Sequence, residues 1–237
     1  MSHKEYFYSD NIQLGNSSLI ISGQEHFHFS RVLRGKVGDN IFVTNGNGLM
    51  FSCKVAEINK DKTSCKILES FKNYGELETD IFVAVGMIKQ KRWEWLIEKS
   101  TELGVKKIIP LNTRYSENKH MKQRRDEKII LSAVKQCGRS VIPKIYSLTE
   151  FNKFINQNKS AKKFILAQNE KYAQLDKSVI EKNNEIILLV GPEGGFAEDE
   201  IDLAIENGYL PTYLSNRRLR TETACVSGLA GIISQSR

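Results

Sequence analysis

Two stretches of this 237-residue chain bring together residue types that could hold a ligand or stabilise charge. In the first, Gly191-Pro192-Glu193-Gly194-Gly195-Phe196 follows the apolar run Ile186 to Val190 and leads into a helical pattern. Glycines at this density allow positive φ and let backbone N–H groups come close to a ligand. A loop leaving the carboxyl end of a buried strand is also where α/β proteins bind small molecules. The loop is neither GxGxxG nor GxxxxGK[ST], so a dinucleotide fold or a P-loop lacks its motif. The second stretch, Leu214 to Ala224, contains Arg217, Arg218, Arg220, Thr221, Glu222 and Thr223. Arginine can bind phosphate or stabilise developing negative charge, Glu222 can take a proton, and the threonines can cap the next helix. A tight turn and a basic surface loop account for the same residues, so local pattern alone leaves both readings open.

Metal chemistry finds no support. Cys53, Cys65, Cys137 and Cys225 are scattered without a CxxC pair and lie apart from the histidines, so no zinc spacing exists and reduced thiols are expected. Cys137 or Cys225 as a nucleophile competes with the simpler reading of a small buried hydrophobe. The longest apolar runs fall far short of the ~20 residues that span a bilayer, and the start MSHKEYFYSD has no signal-peptide core, so no membrane role is expected and the chain reads as cytoplasmic.

The positioning elements follow from hydrophobic period. Up to about residue 72 the chain reads as short strands (Leu19 to Ile21, Ile41 to Thr44, Met50 to Ile58, Thr63 to Leu68), with an Asn-Gly turn at Asn45 to Gly48 and one helical interruption at His26 to Arg34. Structural roles are expected for His26 and His28. From about Tyr74 strands alternate with helices: Ile81–Val85, Lys107–Leu111, Phe164–Ala167, Ile186–Val190 and Tyr209–Leu214 predict a largely parallel α/β sheet. Trp93, Leu96, Ile97, Ser100 and Leu103 share one helix face that ends at Gly104. Ala197 to Asn207 forms another helix, with an acidic first turn and Gly208 at its end. The predicted domains are 1–72 and 73–237, with the boundary near Lys72 to Glu78. Net charge is +7, concentrated in residues 86–146, which hold 15 basic and 6 acidic groups. Lys89, Lys91, Arg92, Lys119, Lys122, Arg124, Arg125 and Arg139 there could neutralise nucleic-acid phosphates, although a solvated helix face explains charge equally well.

LLVGPEGGF at Leu188–Phe196 together with RRLRTETA at Arg217–Ala224 resembles the paired signature of the ribosomal RNA small-subunit methyltransferase E family, of the SPOUT class. Three further segments agree in the same order: HFSRVLRGKVGD at His28–Asp39, EKSTELGVKKIIPL at Glu98–Leu111 and KQCGRSVIPKI at Lys135–Ile145. The resemblance implies a small PUA-like β-barrel for RNA, followed by an α/β domain whose C-terminal part forms a trefoil knot and binds S-adenosyl-L-methionine. It further implies a homodimer, methylation of uridine N3 in 16S rRNA, and an apolar C-terminal helix, Thr223 to Ser234, lying at the dimer surface rather than in the core.

On this reading Leu166, Gly191, Pro192, Glu193, Gly194, Gly195, Leu214, Ser215, Leu219, Thr221, Thr223 and Ala224 bind the cofactor. Arg220 and Glu222 are the catalytic candidates, and Arg31, Arg34, Arg92, Arg124 and Arg139 are expected to contact RNA in the small subunit. Charge stabilisation and alignment rank above proton abstraction, with a structural role for Glu222 left open. Three positions depart from the family pattern: Ser215 replaces a glycine, Arg218 an aliphatic residue and Ala197 a helix-capping serine. Rival readings are another SPOUT methyltransferase, acting on tRNA or a ribose 2′-oxygen, and a non-catalytic RNA-binding assembly factor.

Overall fold

The computed structural model describes residues 5–117, 121–157, 162–174 and 185–235. The chain divides into two units, 1–76 with 134–142 and 77–133 with 143–237.

In the first unit, β1 (Tyr6–Tyr8) and β2 (Ser18–Ser22) precede α1 (Gly23–Phe27) and a single π-helical turn, His28–Val32. Then follow β3 (Asn40–Thr44), β4 (Leu49–Ile58) and β5 (Lys62–Lys72). The sheet order is β1-β3-β4-β5-β2, with only β1 and β3 parallel. Strict alternation in β2 turns Leu19 and Ile21 inward onto Phe7, Phe29, Ile41, Val43, Phe51 and Val55. Register shifts at Ser52/Cys53 and Val55/Glu57 bend β4 against β5 and so curl the sheet. The turn joining β3 to β4 needs glycine, since Gly46 and Gly48 have φ of 74° and 89°. His26 is buried and both ring nitrogens are engaged: Nε2 lies 3.1 Å from the Lys60 carbonyl and Nδ1 2.9 Å from Thr63 Oγ1.

Residues 134–142 close this unit, and here one expectation is corrected. Arg139, read as a phosphate contact, is 2% exposed and grips Glu76, with Nη2 2.6 Å from Oε2. Glu76 Oε1 also accepts the Ser140 and Val141 N–H groups, at 3.0 Å each. A guanidinium is placed this deep only when a carboxylate and backbone groups complete its partners, so the charge faces inward.

The second unit contains β6 (Asp80–Gly86), α2 (Gln90–Glu102), β7 (Lys107–Asn112) and α3 (Gln123–Cys137), the residues of α3 from Val134 grouping with the first unit. It continues through β8 (Lys144–Ile145), β9 (Thr149–Glu150), α4 (Phe151–Ile155), β10 (Lys162–Leu166) and β11 (Ala173–Gln174). It ends with β12 (Glu185–Val190), α5 (Glu198–Glu206), β13 (Leu210–Tyr213) and α6 (Thr221–Gln235). The sheet runs β11-β13-β10-β12-β6-β7-β8, with β9 beside β7, and every pairing is parallel. The five predicted strands are present, while β8, β9 and β11, two residues each, are too short to leave a periodic signal. Central β6 and β12 are buried almost end to end, as continuous apolar runs covered on both faces must be.

α6 starts at Thr221, two residues before the predicted helix, and buries Cys225, Gly228, Leu229, Ile232 and Ile233. A Cβ on Gly228 would sit 3.0 Å from Leu188 Cδ2, so the small residue sets how closely the helix approaches β12. One face of α6 is therefore core, where the resemblance had put dimer surface. Among the described residues no helix is long and apolar enough to cross a membrane, and no group of three or more His, Cys, Asp or Glu could hold a metal.

Candidate active site

β13, β10 and β12 are neighbours and parallel, so their carboxyl ends open on one edge of the sheet. The loops leaving them enclose a cavity of about 890 Å³. This is the place where parallel sheets bind ligands, because flanking helices diverge there and backbone N–H groups are left facing outward. Leu166, the five residues Gly191 to Gly195, Leu214, Ser215, Leu219, Thr221 and Ala224 all line it. Arg220 lies on its rim. Glu222 and Thr223 instead line a second, shallower depression of about 380 Å³ with Lys91, Arg92 and Trp95, and Arg220 borders both.

The glycine loop is close-fitted. A Cβ at Gly191 would lie 2.9 Å from the Gly195 carbonyl carbon, and one at Gly194 would lie 2.8 Å from Tyr115 Cβ, while Gly195 has φ of 76°. Gly86, at the end of β6, was not singled out in the sequence, yet its Cβ would meet Pro192 Cδ at 2.4 Å and the Pro192 nitrogen at 2.8 Å. A glycine closing an apolar strand was the available signal. The segment after β10, with Gln168, Asn169 and Tyr172 on the cavity wall, also carried no motif.

The departures from the family pattern have local explanations. Ser215 keeps an ordinary φ, since Arg34 and Asn73 are the non-glycine residues with positive φ among the described residues, and its hydroxyl accepts the Arg217 N–H at 3.1 Å. The turn is thus held by a side-chain bond where glycine would rely on freedom. Arg218 donates to the Glu193 carbonyl at 3.2 Å, joining the two loops. Ala197, the N-cap of α5, offers no acceptor, but Glu200 accepts the Ala197 N–H at 2.9 Å and the Arg114 N–H at 2.9 Å.

Arg92 had been read as a phosphate contact, but it turns towards the loops instead. Its Nη1 is 3.1 Å from Glu193 Oε1 and its Nε 3.7 Å from Glu222 Oε1, so one guanidinium from α2 ties the glycine loop to the start of α6. Among the described residues the second oxygen of each carboxylate is buried without a hydrogen bond. Arg220 contrasts with this: it is exposed, and among the described residues its guanidinium has no partner. Its own carbonyl accepts the Ala224 N–H at 2.8 Å, which fixes its backbone at the first turn of α6. Cys225 is a buried, packed small side chain on α6, where burial pushes its thiol up to about 12, whereas Cys137 is exposed. Arg31, Arg34 and Arg124 are exposed, Arg125 pairs with Glu94 at 2.7 Å, and Lys119 lies outside the described residues.

A family model described as an RNA methyltransferase PUA domain matches residues 21–68, and one described as an RNA methyltransferase domain matches residues 75–233. The ribosomal RNA small subunit methyltransferase E of Bacillus subtilis is 30% identical over 229 residues, covering 91% of this chain and 90% of the relative. Its namesake in Buchnera aphidicola from Acyrthosiphon pisum is 31% identical, covering 95% and 91%. The crystal structure of the Neisseria gonorrhoeae enzyme of that name, bound to S-adenosyl methionine, superposes with a TM-score of 0.89 at 26% identity, covering 98% of both chains. An open cavity at the carboxyl ends of three parallel strands, a curled sheet that matches the PUA description and likeness along nearly the whole length agree, and the chain belongs to the ribosomal RNA small subunit methyltransferase E family.

Proposed function

We propose that this chain is an S-adenosyl-L-methionine-dependent methyltransferase acting on N3 of a uridine in 16S ribosomal RNA. The observation that carries the reading is the cavity of about 890 Å³ bordered by Arg220. The lining suits the donor: Leu166, Leu214 and Leu219 supply apolar walls for an adenine, and the glycine loop leaves its backbone amides unshielded by side chains. When bound, the donor supplies an electrophilic methyl group on a sulfonium.

The remaining work belongs to the protein. Uridine N3 must lose its proton before it attacks, and negative charge then spreads onto O2 and O4. Arg220, with its backbone held at the start of α6 and its guanidinium unpaired among the described residues, is suited to meet that charge with planar N–H donors. Glu222 commits one oxygen to Arg92 and so serves as a positioning group. Arg31, Arg34 and Arg124, all exposed, suit phosphate contacts. The same reading includes a knotted C-terminal segment, a homodimer, a cytoplasmic setting and the small subunit as RNA partner, as the resemblance implies.

Two measurements test the reading. Gly195→Val forces a β-branched residue into φ of 76°, and calorimetry is expected to register donor affinity at least tenfold weaker while circular dichroism stays native; unchanged affinity would move the pocket elsewhere. Labelled methyl transfer onto small subunits from a strain lacking the protein should yield 3-methyluridine on nucleoside analysis. A 2′-O-methyl product would instead favour another SPOUT chemistry, and no transfer with intact RNA binding would favour an assembly factor.

A further inference from the structure

Two tryptophans stand two residues apart on α2 with opposite fates. Trp93 is completely buried and donates to Asp126 Oδ2 at 3.1 Å, whereas Trp95 is 43% exposed. Leaving an indole in water forgoes the burial that stabilises most large aromatic side chains, so its surroundings are informative. Lys91 and Arg92 precede Trp95 by four and three residues, which sets all three on one helix face. Arg220, Glu222 and Thr223 complete the depression around them. Three cations against one carboxylate give it a positive balance, and Arg92 is already engaged by Glu222 and Glu193. Among the described residues Lys91 and the Arg220 guanidinium remain without partners.

We propose that this depression receives the acceptor nucleotide, with Trp95 as the stacking platform for a base swung out of its RNA stack and Lys91 at its phosphate; the proposal rests on the methyltransferase reading above. A base edge can reach a reactive group only when the base leaves its stack, and an aromatic face replaces the stacking it loses. Arg220 borders both this depression and the large cavity, so a base lying on Trp95 meets the donor at the one arginine the two spaces share. Charge favours RNA over a second copy of this chain as occupant. A two-fold contact centred on the patch would set Lys91 and Arg220 against their own equivalents, whereas phosphates complement them.

The test compares full-length Trp95→Ala and Trp95→Phe with the unaltered protein, in steady-state methyl transfer to unmodified small subunits, with donor affinity by calorimetry and mass by light scattering. Trp95→Ala is expected to lower kcat/KM for the subunit about tenfold to a hundredfold, with donor affinity and mass unchanged. Phenylalanine, which keeps a stacking face, should restore activity to within about threefold. Equal loss in both variants, loss of donor affinity in Trp95→Ala, or a smaller molecular mass for Trp95→Ala would overturn the platform, the last result assigning the patch to a second copy. Methylation of a different base atom would sink the uridine-N3 reading and leave the platform standing, since every base has a π-face. Absence of transfer by the unaltered protein would sink both.

Discussion

Arg220→Ala is expected to slow single-turnover methyl transfer at least about a hundredfold with donor and RNA saturating, the scale on which removal of a preorganised donor from a developing anion is felt. Deprotonated uridine N3 shares its charge with two carbonyl oxygens, and in a site from which water is displaced an aimed guanidinium replaces solvent without reorganising. The backbone of Arg220 is anchored through its carbonyl bond to Ala224, while the side chain is free of other obligations among the described residues. Arg220→Lys separates charge from geometry: an ammonium keeps the charge and loses the planar fork, so its rate should fall between the two. A rate for Arg220→Ala within threefold of the unaltered enzyme across the pH range would assign this arginine to binding or structure.

The second large effect concerns stability. Arg139 and Glu76 are each 2% exposed, and removing one member leaves the other charge buried without its counterion, a loss of about 3–5 kcal/mol. Glu76→Ala should cost at least as much as Arg139→Ala, because it also orphans the Ser140 and Val141 N–H groups. The double variant should be little worse than either single one, as the two side chains act as a unit. Urea unfolding of the full chain measures the loss, and faster amide exchange at Ser140 and Val141 locates it. A loss below about 1 kcal/mol for both single variants would show that water or neighbouring groups compensate the charge.

Arg139 also marks where linear reading stops. Its segment carries the excess charge of the whole chain, and counting by segment made it an RNA contact; its partner lies 63 residues away, across a separation that no periodicity records. Arg92 shows the same limit of linear reading, since its partner Glu193 is 101 residues distant and only the sheet order brings the two together. Ser215 raised a concern that backbone geometry dissolved, because the serine supplies a local hydrogen bond in place of a glycine's freedom. By contrast, hydrophobic period correctly located the main strands and helices of both units, and the loops rich in glycine and arginine were legible as strand-to-helix junctions. Those signals are local: alternation, helical spacing and turn chemistry are decided among residues a few positions apart. The sequence by itself therefore determined the elements, the glycine loop and the family likeness. Only the tertiary structure decided which arginines face inward, that Gly86 clears space for Pro192, and that Arg220 stands between two cavities, because each depends on which distant strands become neighbours.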